Sequence, residues 1–188
     1  MSLDERVSPD IVRGLREGAA DLGVLWDLAD LTGLHTVAYR SDHLCVAMAP
    51  SHPLARRPSL HYADTLEQAS IGVAPGGLMD QLLRRQAALA GRLPAHRMQV
   101  SSMDAACRIV AAGLGLAVLP REVAVPHAGA GRLALVPLAD AWAARRFVVA
   151  SRPEPLRSAA ARLLADHSQA AATPAADPAR RAGRRPAG

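Results

Sequence analysis

The stretch Val100–Arg121 contains the signals of a helix, of a glycine that ends it and of a strand, in direct succession. No other stretch of the sequence restricts the possible folds as strongly. Ser102 stands where its hydroxyl would cap the helix, and Asp104 complements the positive helix end. Gly113 ends the helix, and Leu114–Leu119 is a continuous apolar run that stops at a proline. Such a strand is buried on both faces, which is typical of an α/β sheet. Its helix carries an apolar stripe of Met103, Ala106, Cys107, Val110 and Ala111.

Helix and strand signals alternate along most of the chain. Ser8-Pro9-Asp10 has the residues of a helix start, Gly18 ends that helix, and Leu78–Ala90 is a second helix. A polar turn at Ser41-Asp42 is predicted between two extended segments. Because strands alternate with helices of ten or more residues, we expect mostly parallel sheets with helical crossovers. The predicted strands are Asp21–Leu25, Leu34–Arg40, His43–Ala49, Ser70–Ala74, Arg97–Ser101, Leu133–Pro137 and Phe147–Arg152, and a last helix covers Leu156–His167.

The elements fall into two groups, which predicts two lobes. Residues 1–50 form part of a first lobe, which residues 133–169 complete after the chain returns. Residues 51–132 form the second lobe with its crossover segments. Residues 170–188 consist almost wholly of Ala, Pro, Gly and Arg without apolar periodicity. This tail is expected to be disordered, since it cannot bury enough apolar surface to offset its ordering entropy.

Composition excludes several classes of protein. The net charge of +5 is uneven, because four arginines against one aspartate lie in the tail, which leaves the remainder close to neutral. That balance, with only five aromatic residues, does not indicate a nucleic-acid interface. Apolar runs such as Leu44–Ala49 are too short to span a bilayer, and the charged first residues lack the apolar core of a secretory signal. We therefore expect a cytoplasmic protein without a membrane partner.

Motifs that carry catalysis or bind metals and cofactors are not found in the sequence. It contains no GxSxG, HExxH, GxxxxGK[ST] or GxGxxG pattern, and its seven histidines form no i, i+4 pair. Cys45 and Cys107 are 62 residues apart in apolar segments, so we expect two reduced, buried packing residues. The prediction is a protein with no catalytic residue, no metal and no cofactor, which is not an enzyme.

Ser102–Pro120, SMDAACRIVAAGLGLAVLP, resembles a hallmark of the effector-binding domain of LysR-type transcriptional regulators. Three further matches keep the family order, at Leu15–Leu25, His52–Ala55 and Leu133–Leu138, so that the resemblance covers roughly residues 4–169. It implies the two-lobed fold of periplasmic-type binding proteins, with a small molecule bound between the lobes. It also implies that the first lobe lacks its opening strand and helix, and that DNA binding belongs to a winged helix-turn-helix absent from these 188 residues.

The resemblance places effector contacts at three helix starts and at one strand end. A helix N-terminus offers unpaired N–H groups and positive potential, and ligands of open α/β sheets lie outside the carboxyl ends of strands. A small and anionic effector is therefore expected, with Arg97 or Arg121 nearby. The serines could instead act only as helix caps, the glycine pair as a tight turn and the tryptophan as a packing residue. The candidate site residues are Ser8, Trp26, Gly76, Gly77, Leu78, Ser102 and Met103.

The function that these patterns favour is effector sensing in a LysR-family transcriptional regulator. The family pairs its effector domains, so a homo-oligomer is expected, with the helix Pro9–Glu17 as a candidate participant. Two alternatives stay open at this point. One is a stand-alone small-molecule-binding protein of the same fold, and the other is a truncated, non-functional remnant.

Overall fold

The computed structural model describes residues 4, 6 and 8–153, so the predicted helix Leu156–His167 and the tail lie outside the described residues. Short 3-10 helices cover Pro53–Arg56, Tyr62–Thr65, Val125–Gly131 and Ala141–Ala143. The α-helices are α1 (Ser8–Glu17), α2 (Leu78–Leu89), α3 (Met103–Ala111) and α4 (Arg121–Ala124). The strands are β1 (Leu22–Trp26), β2 (His35–Met48), β3 (Ser70–Val73), β4 (His96–Val100), β5 (Ala117–Pro120), β6 (Ala134–Pro137) and β7 (Ala144–Ser151).

Most strand pairs are antiparallel. The larger sheet has the order β1-β7-β2-β5, with β6 also paired to β2, and each of these pairs is antiparallel. Among the described strands, only β3 and β4 form a parallel ladder. The prediction of mostly parallel sheets is therefore wrong. Alternation of helices and strands predicts parallel neighbours only when consecutive strands pair, whereas β2 pairs with β5, β6 and β7 from distant parts of the chain.

The predicted turn at Ser41-Asp42 is also wrong, because β2 runs through it as one strand of 14 residues. Ser41 lies opposite Arg146 and Asp42 opposite Arg145 in the β2–β7 ladder. Asp42 therefore forms an ion pair with Arg145 between two strands and does not belong to a turn. Beyond it, β2 pairs with β5 and β6, so one strand connects both parts of the sheet.

The buried residues form two separate clusters. The larger lies around the second half of β2 and β5, where Leu44, Met48 and Leu119 are fully buried, and includes residues of α2 and α3. The smaller lies where α1 packs on β1, with Leu15 and Leu25 at its centre. Amphipathic helices therefore cover the strands, as their apolar spacing predicts.

The stretch Val100–Arg121 folds largely as predicted, but its strand is shorter. Gly113 has φ +76°, which ends the helix in the left-handed conformation that glycine adopts readily. Gly115 has φ +153°, and the strand begins only at Ala117. Leu114 is 40% exposed, so the apolar run before the strand is not all buried.

Candidate ligand site at two helix starts

The turns that precede α2 and α3 lie at one edge of the β3–β4 pair. Val73 is the register partner of Val100, and the N–H of Ala74 donates to the Val100 carbonyl at 2.8 Å. Because these strands are parallel, both carboxyl ends reach the same edge. The segments Gly76–Leu78 and Ser102–Met103 follow these ends, so five of the seven predicted site residues lie there. Ligands of open α/β sheets bind at this kind of edge.

Both backbone N–H groups of the Gly76-Gly77 turn are already hydrogen-bonded within the protein. Gly76 has φ +78°, and its N–H donates to Oδ2 of Asp80 at 2.9 Å, while the N–H of Gly77 donates to the Ala74 carbonyl at 3.0 Å. Gly77 is the N-cap of α2 and, as a glycine, has no side chain with which to cap this end. The first N–H groups of a helix have no partner within it, so the donors left for a ligand are those of residues 78–80.

Asp80 stabilises this turn by accepting the hydrogen bond from Gly76. Its side chain is 7% exposed, and the Arg84 Nε lies 3.1 Å from Oδ1 and 3.0 Å from Oδ2. Burial acts to raise the pKa of Asp80, but the Gly76 N–H and the Arg84 guanidinium outweigh it, so the pKa lies below its ordinary value. Sequence reasoning missed this role. The signal was the spacing of four residues from Gly76 to Asp80 and again to Arg84.

Asp80→Asn is expected to destabilise the protein at neutral pH, and the difference from the unchanged protein should shrink in acid. A carboxyl whose pKa is lowered by folding stabilises the folded state above 3.8, the ordinary pKa, and this stabilisation is lost as the pH falls through the folded value. Urea unfolding of both proteins at neutral pH and at about pH 3 measures the change. A difference that stays constant between the two conditions argues against this role, and Glu67→Gln on the surface is the control.

The start of α3 is capped by a side chain, as predicted. Ser102 Oγ accepts a hydrogen bond from the Ala105 N–H at 3.4 Å. Asp104 pairs with Arg108 at 2.9 Å, and one of its oxygens lies 3.6 Å from Nε2 of His127. The side chain of Met103 packs against the larger core cluster. The backbone donors without an intrahelical partner at this end are those of residues 103 and 104.

Ser102→Ala is expected to lower the free energy of unfolding by about 1 kcal/mol, since the N-cap acceptor is lost. The neighbouring Ser101 is exposed and caps no helix, so Ser101→Ala is the matched control and should change stability little. Chemical denaturation of the three proteins provides the comparison. Equal stability of the Ser101 and Ser102 variants would show that the cap contributes nothing.

Trp26 belongs to the larger, antiparallel sheet, and Ser8 to the helix that packs on it. Ser8 is the first residue of α1, which packs on β1. Trp26 ends β1, is 6% exposed and lies with its ring centroid 5.4 Å from the Arg145 guanidinium carbon. Within residues 8–153, no hydrogen bond joins either residue to the two turns described above. Trp26 is thus a packing residue in this structure, and a ligand contact by either side chain stays a prediction.

Two cavities are lined by other residues. One, of about 20 Å³, lies beneath β3 and β4 and is lined by Ser70, His96 and core side chains, which leaves room for little more than a water molecule. The other, of about 160 Å³, lies beside β1, β2 and β7. None of the seven predicted site residues lines either cavity. The two turns form an open edge, and a ligand there would contact backbone donors first.

Both cysteines are free and buried, as predicted. Burial raises the pKa of Cys45 to about 12, so its thiol is protonated at neutral pH and chemically inert. Within the described part of the chain, no three His, Cys, Asp or Glu side chains gather as a metal ion would require. None of the helices between residues 8 and 153 combines the length and apolar character needed to cross a membrane.

The described residues form an antiparallel sheet, which one long strand joins to a small α/β unit. Two helices start at the carboxyl edge of that unit. This arrangement defines a two-lobed ligand-binding domain. The chain matches the model of the LysR substrate binding domain family over residues 1–173, and it belongs to that family. It is therefore the effector-binding domain of a LysR-family transcriptional regulator, and the resemblance found in the sequence is confirmed. This is a family of regulatory domains and not of enzymes.

Solved structures with the same fold include other regulators. The CcmR regulatory domain from Synechocystis PCC6803, in complex with 2-PG, is 18% identical with a TM-score of 0.82 over 93% of this chain and 84% of that one. The effector binding domain of QuiR with shikimate is 18% identical, with a TM-score of 0.75 over 90% and 79%. HinK, a LysR family regulator from Pseudomonas aeruginosa, is 18% identical, with a TM-score of 0.74 over 89% and 58%. The comparison with curated proteins finds no match.

Proposed function

We propose that this domain binds a small anionic effector at the starts of α2 and α3. The observation that carries the proposal is the pairing of Val73 with Val100, which brings both helix N-termini to one edge of the β3–β4 pair. Each end presents backbone N–H groups without an intrahelical partner, together with the positive end of a helix dipole. These donors, at residues 78–80 and 103–104, suit a carboxylate.

Charges near the site restrict the effector. Asp80 is ionised at neutral pH and lies below the Gly76-Gly77 turn, and Arg84 balances its charge. Asp104 adds a further exposed negative charge, which pairs with Arg108. An effector with one carboxylate and a neutral body is therefore favoured over a dianion, since the helix ends supply partial charges only. The complexes of CcmR with 2-PG and of QuiR with shikimate make small-molecule binding a precedent in this fold.

Binding is proposed to move one lobe relative to the other. In this proposal, residues 1–50 with 133–169 form one lobe and residues 51–132 the other, and β2 connects them. Ser8 and Trp26 would meet the effector from the first lobe as the cleft closes. Oligomer formation through the helix Pro9–Glu17, action in the cytoplasm and DNA binding through a winged helix-turn-helix outside this chain complete the proposal.

The test removes single backbone donors. Proline is tolerated as the first helical residue, and the preceding residues Gly77 and Ser102 are extended, with ψ 167° and 135°, as proline requires. Leu78→Pro therefore removes one N–H with little cost to α2. Leu78→Ala loses the same packing of the side chain but keeps the N–H, and is the matched control.

A thermal-shift screen of aromatic and aliphatic monocarboxylic acids is expected to find a stabilising compound. In calorimetry, Leu78→Pro should then weaken its binding about tenfold or more relative to Leu78→Ala, the loss expected for one hydrogen bond to a charged group. Met103→Pro against Met103→Ala gives the same comparison at α3. Equal affinities within each pair would show that these N–H groups do not bind the effector.

A further inference from the structure

His96 begins β4 and lies against β3, the strand that leads into the Gly76-Gly77 turn. Its Nδ1 lies 3.0 Å from Ser70 Oγ, which itself donates to the Ala95 carbonyl at 3.0 Å. Because the hydroxyl hydrogen is used in that bond, Nδ1 donates to the serine oxygen, and Nε2 is the atom that takes up a proton in acid. A Cβ added to Gly72 would lie 3.2 Å from the imidazole, so this glycine provides the space that the ring fills.

Helix α2 packs on the same side of the strand pair as His96. Leu83 of α2 and the imidazole both line the cavity of about 20 Å³ beneath β3 and β4. Asp80 and Arg84 lie one turn before Leu83 and directly after it, and among the described residues these are the charged groups that act on His96. Tyr62 also lines the cavity, but burial raises the pKa of its phenol to about 12, so the phenol stays neutral.

A chain of direct contacts leads from these two charges to the turn. The Arg84 Nε lies within 3.1 Å of both carboxylate oxygens of Asp80, and Oδ2 also accepts the Gly76 N–H at 2.9 Å. Ala74, at the start of the turn, has φ +47°, which residues with a side chain rarely adopt. Such a conformation persists only while surrounding contacts hold it. The Asp80 carboxylate supplies one of these contacts, because it binds the turn two residues after Ala74.

We propose that His96 is a pH-sensitive switch of the Gly76-Gly77 turn, in which a proton on Nε2 weakens the hydrogen bond between Gly76 and Asp80. The imidazolium adds a second positive charge, which repels the Arg84 guanidinium and competes with it for the Asp80 carboxylate. Asp80 then holds the turn less firmly, and relief of the strain at Ala74 favours its release. Any effect on effector affinity rests on the proposed function, whereas the release of the turn does not depend on it.

The direction of the pH dependence follows from the surroundings of the ring. Burial and the positive charge of Arg84 lower the pKa of His96 below 6.5, its ordinary value, and Asp80 opposes them. The folded protein therefore favours the neutral ring. Stability is greatest above 6.5, where the ring is neutral in both states, and falls as the pH drops from 6.5 through the pKa of the folded state.

The test follows the full chain, labelled with ¹⁵N, by NMR from about pH 8 to about pH 5, where histidines titrate. Ring signals of His96 report its protonation, and Asp80 stays ionised because its pKa lies below 3.8. The protection of the Gly76 N–H against hydrogen exchange, corrected for the intrinsic rate, is expected to fall about fivefold or more as the ring gains its proton. Constant protection of Gly76 across the titration of His96 would overturn the proposal.

Two variants show whether this histidine is responsible. His96→Gln keeps a side-chain donor but gains no charge, so its Gly76 protection should be the same at both ends of the pH range. His35→Gln is the matched control, because His35 is exposed on β2, and it should behave as the unchanged protein. An equal loss of protection in both variants would refute the switch, and the titration of the unchanged protein decides the matter if His96→Gln does not fold.

Failure of the switch and failure of the proposed effector site give different results. If the protection of Gly76 falls with the protonation of His96 while Leu78→Pro and Leu78→Ala bind the screened acid equally, the switch stands and the effector site is wrong. If Leu78→Pro weakens binding while the protection of Gly76 stays constant, the effector site stands and the switch is wrong.

Discussion

Replacing Asp42 with alanine is expected to lower the free energy of unfolding by about 3–5 kcal/mol. The substitution leaves the Arg145 guanidinium buried in the β2–β7 ladder without its carboxylate, and its Nε already has no acceptor among the described residues. Most of the expected loss is the cost of this uncompensated charge and not the strength of the ion pair. Urea denaturation followed by circular dichroism measures it, provided that the unfolding is two-state.

Two further variants separate these contributions. Asp27→Ala breaks a surface ion pair with Arg146, which follows Arg145 in β7. This substitution should lower the free energy of unfolding by about 0–1 kcal/mol. The double variant Asp42→Ala with Arg145→Met removes both buried charges, and should recover much of the stability that Asp42→Ala loses. If Asp42→Ala costs no more than Asp27→Ala, the pair is not a buried ion pair in solution.

Gly115→Ala is expected to destabilise the protein by about 2–4 kcal/mol. Gly115 has φ +153°, a conformation that residues with a side chain rarely adopt. An added Cβ would also lie 2.7 Å from the backbone oxygen of Ala69, and backbone cannot move aside as a flexible side chain can. That oxygen accepts from the Leu116 N–H at 3.0 Å, so the clash would disturb the link between this turn and the segment before β3.

Gly129→Ala is the control for this prediction. Gly129 has no positive φ, and apart from its two chain neighbours no atom of the described residues lies within 4 Å of the place that its Cβ would take. The substitution should therefore leave stability unchanged or raise it slightly, because alanine has less freedom in the unfolded chain. Thermal unfolding of the two variants provides the comparison, and similar melting temperatures would show that the turn at Gly115 is not strained.

Local signals in the sequence predicted the helix starts well. Ser102 caps α3, Gly113 ends it, and Gly77 precedes α2, because caps and left-handed glycines depend on a few adjacent residues. The predicted site residues at these positions therefore lie together at one edge of a parallel strand pair. Their contact with a ligand stays a prediction.

Non-local pairing was not predictable from the same signals. The partners of β2 come from β5, β6 and β7, and each paired residue lies at least seventy residues later in the chain. The periodicity of the sequence says nothing about the direction of these strands. Ser41-Asp42 has turn composition, yet Asp42 is held in a strand by Arg145. The principal contacts of Asp80, with the Gly76 N–H and with Arg84, depend on the folded turn before α2 and were not predicted.

The position of the effector is best tested by a titration of ¹⁵N-labelled protein with the strongest acid from the thermal-shift screen, followed by amide NMR. The predicted result is saturable movement of the amide signals of residues 78–80 and 103–104, with one dissociation constant shared by both segments. The signals of Leu89, exposed at the far end of α2, and of Leu93, exposed in the segment that follows α2, should not move. Signals that move only outside these two helix starts, or no saturable movement at all, would contradict an effector site between them.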